Sequence, residues 1–245
     1  MNFDLHVFLN TLFSRVFLYP ALTTLGVTLA AMALGISLGF FGALASLSRF
    51  GVLRNLMRLY VGFFRGVPVL VQIVFWYDAV AEITGNAINL PALVAGVVAL
   101  GMNEGAYMTE IIRAGLISVD PGQRDAARAL GMTGPMAMRR IIVPQALRVI
   151  IPPTGNQFIS MLKTTSLLFT IAVPEIFGRG TDIYSHNFKY FEVLCVVSIW
   201  YLLLTFLLTV VQQAIERRFG IGSSGRGRES VFSRVFGFGL PRGTA

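Results

Sequence analysis

Residues 119–148 read VDPGQRDAARALGMTGPMAMRRIIVPQALR. This stretch is too polar to cross a membrane and too well punctuated to be a plain linker. Asp120-Pro121-Gly122-Gln123 has the signature of a helix start, with Asp as N-cap, Pro at the first helical position and Gln at the third, as in a capping box. The pattern predicts a short helix through Asp125, Ala126, Ala127, Arg128, Ala129 and Leu130, with Gly131 as its C-cap. Gly134-Pro135 is predicted to start a second short helix, running from Met136 to Ile142 and ending near Pro144. Small side chains at 126, 127 and 129 let another backbone come close, Gly131 permits a sharp turn, and basic residues flank both sides. Two roles fit: a docking element held in a partner's groove, or an amphipathic segment lying on the bilayer, which Met138, Ile141 and Ile142 would suit.

Outward from the loop the chain turns apolar. Of its 245 residues 55% are hydrophobic and 13% charged, and mean hydropathy is +0.70; a soluble domain carries roughly 25% charged residues. Five stretches are long enough for the roughly 20 helical residues a bilayer requires: about Pro20–Leu47, Leu59–Ile83, Leu90–Ile112, Val149–Pro174 and Phe191–Ile215. The fold class expected is therefore an all-α polytopic membrane protein, with the loop between the third and fourth spans. The net charge of +8 sits between apolar runs, where it orients a chain in a membrane rather than binding nucleic acid. Arg49, Arg54 and Arg58 follow the first span, six Arg residues from Arg113 to Arg148 follow the third, and the tail is Arg-rich. Only Arg15, Arg179 and Lys189 fall on the other side. The positive-inside rule puts the crowded side in the cytoplasm, the N-terminus outside and the C-terminus inside. Residues 1–19 then form an extracytoplasmic segment without a cleavable signal pattern, 20–218 the membrane domain with the loop at about 118–146, and 219–245 a flexible basic tail suited to touching anionic lipid. The lone Cys195 lies in an apolar run, and His6 and His186 are far apart, so neither a disulfide nor a metal site is expected.

Several motifs in one order carry a resemblance. Asp125-Ala126-Ala127, then Gly131, then Ile141-Ile142-Val143-Pro144 resembles the EAA loop of bacterial ATP-binding-cassette import permeases, with Asp125 where the family has Glu and Val143 where it has Leu. Arg65-Gly66-Val67-Pro68 looks like the RGTP element of the polar amino-acid branch, with Val67 for Thr. Gly105-Ala106-Tyr107-Met108-Thr109-Glu110 is similar to its GAY-x-x-E element. Pro121-Gly122-Gln123 and Leu162-Lys163-Thr164-Thr165-Ser166-Leu167 also match, with Thr164 where Asp or Ser is usual. The resemblance covers roughly residues 20 to 218. It implies that Gly122, Asp125, Ala126, Ala127, Arg128, Leu130 and Gly131 form a coupling helix seated on a separate ATPase. It further implies two ATPase subunits that bind ATP and Mg, a second copy or homologue of the permease, and an extracytoplasmic amino-acid-binding protein, all in the bacterial inner membrane. This chain has no G-x-x-x-x-G-K-[ST] phosphate loop, so no cofactor is expected on it and no catalytic residue.

Ionisable residues inside spans are costly and mark function by default. Asn103, Tyr107 and Glu110 share a helical face with Glu104 at its edge; Asn156, Ser160 and Lys163 share another, with Gln157 nearby; Arg65, Gln72 and Trp76 line up on a third. A zwitterionic amino acid needs an anion for its ammonium and donors for its carboxylate. Glu104 is the candidate for the first, Lys163, Asn156 and Gln72 for the second, and Trp76 for a wall. Interhelical adhesion is the competing role: Glu110 can pair with Arg113 one turn on, and Lys163 can neutralise a buried Glu. Arg65 and Pro68 suit a bend or gate. Other classes stay open: a permease for an osmolyte, opine or methionine, a self-sufficient secondary transporter or channel, and a membrane enzyme, for which the supply of His and Cys is thin.

Overall fold

The structure, a computed structural model, describes residues 3–221; the basic tail beyond them lies outside the described residues. Helices are α1 (Leu5–Phe13), α2 (Leu18–Ser46), α3 (Gly51–Gly66), α4 (Val69–Val74), α5 (Val80–Ile83), α6 (Ala92–Ile117), α7 (Pro121–Ala129), α8 (Gly134–Ala137), α9 (Val143–Thr164), α10 (Ile176–Asn187) and α11 (Tyr190–Arg218). Among the described residues there is no strand.

The centre is the pair α2 and α6, which make the most extensive helix contact in the molecule. Glycines explain why. A Cβ at Gly35 would stand 2.7 Å from the Glu104 side chain, and one at Gly39 would stand 2.8 Å from the Met108 backbone carbon. Small residues let helices approach closely where lipid, not water, is the solvent. Around this pair, α4, α9 and the turn after α9 close one apolar cluster containing Met32, Ile73, Leu100 and Leu168. The start of α2 joins α10 and α11 in a second, around Phe17, Ile176 and Val196.

By length and apolarity α2 (with the short turn before it) and α11 each suffice to cross a membrane among the described residues, and two bent pairs bring the total to as many as four. At 26 residues α6 has the length, about 39 Å, but Asn103, Glu104 and Glu110 interrupt its apolar run. The stretch expected as one span from Leu59 to Ile83 is broken: α3 and the helical run that begins with α4 meet at 105°. Pro68 is the cause, because it has no N–H for the Phe64 carbonyl and cannot continue the helix.

The fourth stretch also differs from expectation. α8 does not stop near Pro144; it passes through a π turn, Met138–Ile142, directly into α9. In that turn Val143 donates to the Met138 carbonyl, five residues back, and the wider ring makes room for a proline that would strain a regular α-helix. α9 ends at Thr164, tightens to a 3₁₀ stretch over Thr165–Ile171, and reverses at Ala172, whose φ is 57°. A bend of 48° then leads to α10.

Candidate functional site

Two regions carry the polar chemistry: a cavity at the α3–α4 break and the exposed loop between α6 and α9. The cavity, about 470 Å³, is lined by Arg65, Gly66, Val67 and Pro68 at the break, by Asn103, Glu104 and Tyr107 of α6, and by Gln157, Ser160 and Thr164 of α9. The break is held open by side chains. The Phe64 carbonyl, orphaned by Pro68, accepts from Asn103 Nδ2 at 2.7 Å and Gln72 Nε2 at 3.0 Å. Gln72 Nε2 also donates to the Val67 carbonyl at 2.9 Å, and Gln72 Oε1 accepts from Asn103 at 3.3 Å. Buried carbonyls must find donors, and these two amides supply them.

Glu104 is the outlier. It is 4% exposed, its stem pressed on Gly35 of α2, and its Oε1 is buried with no hydrogen-bond partner among the described residues. A buried carboxylate oxygen without a donor is costly, and this one belongs to a cavity wall. Opposite in sign, Arg65 is exposed at the rim, its guanidinium 5.1 Å from the Tyr107 ring centroid, within cation–π range.

The expected site residues divide accordingly. Arg65, Pro68, Asn103, Glu104, Tyr107, Gln157 and Ser160 converge on the cavity. Gln72 is committed to the backbone beside it, and Trp76 packs on the apolar cluster behind. Asn156 turns away, accepting from Gln212 of α11 at 3.3 Å, and Lys163 is exposed on the flank of α9. Helical phase is the reason, since 157, 160 and 164 form one stripe and 156 and 163 border it. Glu110 makes the pair foreseen with Arg113, in two bonds of 3.1 and 2.7 Å.

In the loop, α7 starts at Pro121 with Asp120 as N-cap. The capping box is not formed: Asp120 Oδ1 accepts from the Gly122 N–H at 2.6 Å, and the Gln123 side chain meets Gln145 at 3.4 Å instead. The C-terminus is a Schellman motif. Gly131 has φ 70°, its N–H bonds to the Arg128 carbonyl at 2.9 Å, and the Met132 N–H reaches the Ala127 carbonyl at 3.0 Å. Ala127, expected to face a partner, is instead 1% exposed, so this one small residue packs α7 inward while Ala126 and Ala129 stay exposed. What faces outward is Gly122, Asp125, Ala126, Arg128 and Gly131, with Leu130 80% exposed. Asp125 and Arg128 pair on that surface at 3.5 Å.

Sequence reasoning missed Glu175. It is fully buried, caps α10 through the Phe177 and Gly178 N–H groups, and accepts from Tyr201 Oη at 2.7 Å. The signal was there: a carboxylate in the apolar run AVPEIF.

Known proteins resemble this chain in sequence and fold. The chain is 45% identical over 179 residues to the arginine transport system permease protein ArgU of Corynebacterium glutamicum, covering 68% of this chain and 56% of that one. It is 46% identical to the probable amino-acid permease protein YxeN of Bacillus subtilis, over 65% of this chain and 71% of that one, and 36% identical to the glutamine transport system permease protein GlnP of Escherichia coli, over 66% and 74%. The match thus spans little more than half the length of the Corynebacterium relative. Among solved structures, an amino acid ABC transporter crystallised with histidines superposes with a TM-score of 0.80 at 36% identity, covering 89% of this chain and all of that one. The inward-facing MetNI methionine ABC transporter, at 20% identity, shares the fold with a TM-score of 0.69. Residues 18–221 match the family described as binding-protein-dependent transport system inner membrane component, and the chain accordingly belongs to that family, the multi-pass inner-membrane permease components of ABC transporters.

Proposed function

We propose that this chain is the permease subunit of an importer for polar amino acids, and that the cavity at the α3–α4 break is where its substrate pauses. The observation that carries the reading is Glu104. A buried carboxylate with an unpartnered oxygen on a cavity wall suits a ligand ammonium. Arg65, Ser160 and Thr164, on the other walls, suit the carboxylate of the same molecule. Small-molecule sites are concave, with a few convergent polar groups that fix orientation. The names of the relatives, which speak of arginine, glutamine and amino acids, support the same substrate class.

In this reading the chain does no covalent chemistry. Two ATPase subunits, holding ATP and Mg, seat α7 in their grooves, with Leu130 as the apolar contact. A second copy or homologue of the permease covers the flank of α9 that carries Asn156 and Lys163. An extracytoplasmic binding protein delivers the amino acid. The loop and the tail lie in the cytoplasm and α1 outside, following the Arg distribution, and α6 is a further span that gives five in all. ATP-driven closure of the ATPases pushes α7–α8, the π turn passes that motion to α9, and the cavity opens alternately to each side.

The test is purification of the tagged chain from its own host in mild detergent, with identification of what accompanies it and an assay of ATP hydrolysis. A co-purifying ATPase whose activity rises with amino acid and binding protein is the expected result. A chain that is alone and transports without ATP after reconstitution would overturn the reading in favour of a secondary transporter.

A further inference from the structure

Among the described residues two charged side chains line the cavity at the break, Arg65 and Glu104, one of each sign. With Glu104 on the ammonium and Arg65 on the carboxylate, a zwitterion uses both. The walls hold no further charge. Glu110, the next carboxylate along α6, lies off the wall and is held by Arg113 in bonds of 3.1 and 2.7 Å. Lys163, on α9, is exposed on the flank and lies off the wall as well. A third charge, on the side chain of the substrate, would leave bulk water for a site without a counter-ion, and an unpaired charge in such a place is costly.

What the walls offer instead is uncharged. Asn103 Nδ2 is engaged by the Phe64 carbonyl at 2.7 Å and by Gln72 Oε1 at 3.3 Å, so only its acceptor oxygen is left for another group. Gln157, half-buried on the α9 wall, makes no side-chain hydrogen bond among the described residues, and its amide can both donate and accept. An acceptor oxygen and a whole amide on the walls of one cavity suit a group that donates, accepts and carries no charge, which is a carboxamide. A side-chain carboxylate would set oxygen against the Asn103 oxygen, and an aliphatic side chain would leave both wall groups without a partner. We propose that the cavity takes an amino acid whose side chain ends in a carboxamide, with Gln157 as the residue that selects it and Asn103 accepting from the carboxamide N–H. The proposal names the substrate class of the site described above and rests on the roles given there to Glu104 and Arg65.

The test is equilibrium binding of radiolabelled L-glutamine to the purified full chain in detergent, with unlabelled amino acids as competitors and no binding protein present to select the substrate first. L-glutamine and L-asparagine are expected to displace the label at concentrations about tenfold or more below those of L-arginine, L-glutamate and L-norleucine, since each of the latter leaves a charged or polar group unmatched. Gln157→Glu supplies the missing carboxylate and is expected to bring L-arginine level with L-glutamine or past it. Gln157→Leu is expected to erase the advantage of L-glutamine over L-norleucine, with both variants melting like wild type. Glu104→Gln is expected to weaken every amino acid alike. Binding that depends on Glu104 but favours L-arginine or L-glutamate over L-glutamine would overturn this inference and leave the site itself standing. So would a preference that neither Gln157 variant moves. Absence of binding by any amino acid, or binding indifferent to Glu104→Gln, would remove the site and this inference with it.

Discussion

At the scale of the residue, Glu104 and Gln72 show how differently two buried polar groups can be used. Gln72 satisfies both carbonyls it can reach at the break, so its work is done inside the chain. Glu104 has a buried oxygen with no partner among the described residues, and in the proposed reading a ligand ammonium supplies it. Glu104→Gln keeps the shape and removes the charge. It is expected to raise the KM for uptake of a zwitterionic amino acid by tenfold or more, because a charge-assisted hydrogen bond is worth about 1.5–3 kcal/mol, with expression and melting temperature little changed. Uptake kinetics across a panel of amino acids check this, and unaltered KM values would remove Glu104 from the substrate path. The sequence placed Glu104 and Gln72 on candidate faces but did not separate their roles. That separation depends on Pro68 orphaning a carbonyl within reach of Gln72, a contact between residues eight apart that appears only once the helix has broken.

Among the elements, the α2–α6 pair and the contact of α1 with the start of α11 are held differently. The first is steric. Gly39→Leu would drive a side chain into the Met108 backbone, 2.8 Å from where its Cβ must lie, and forced overpacking costs about 1–3 kcal/mol. Gly26, on the same helix with open space around it, is the control. Melting in detergent is expected to fall for Gly39→Leu and hold for Gly26→Leu. The second adds polar bonds to the apolar packing of Phe8 and Leu12. Asp4 caps α1 at the Val7 N–H, 3.1 Å away, its own N–H donates to Glu192 at 2.9 Å, and its carboxylate lies 3.2 Å from Lys189. The Val7 N–H and then Lys189 hold the Asp4 pKa below its ordinary value. A depressed carboxylate pKa contributes stability above the unfolded-state value, about 3.9, that is lost as pH falls through the folded value. Hydrogen-exchange protection of α1 is therefore expected to be flat from neutral pH to about 5 and to fall only below about 4, and Asp4→Asn is expected to lower the protection at neutral pH. Of these elements the helix ends in the loop were legible, because Asp120, Pro121 and Gly131 act locally. The bend after α3 and the continuity of α8 with α9 were not. Both depend on how a proline's missing hydrogen bond is resolved, by a break at Pro68 and by a π turn before Pro144, and the dipeptide alone does not choose between them.

On the scale of the whole molecule, the proposed mechanism needs motion to pass from the loop to the cavity, and two covalent routes lead there: back through Asp120 into α6, and forward through Gly131, α8 and the π turn into α9. Gly131 is the joint most open to test. Its φ of 70° favours glycine, and a Cβ there would meet nothing within 4 Å, so a substitution strains the backbone without a clash. Asn tolerates this conformation better than most residues. Asp has nearly the same shape but adds a negative charge to the surface that carries Leu130. If the turn matters only for the loop's own fold, Gly131→Asn and Gly131→Asp should impair transport alike. If the surface docks on an ATPase, Gly131→Asn should keep much of the uptake, while Gly131→Asp should lose both uptake and the co-purifying ATPase, with the permease still inserted in the membrane at normal abundance. The paired measurement is membrane abundance against ATPase recovery. Equal recovery in the two variants would return the loop to a purely structural role and leave the path from ATP to the cavity to be sought elsewhere on the chain.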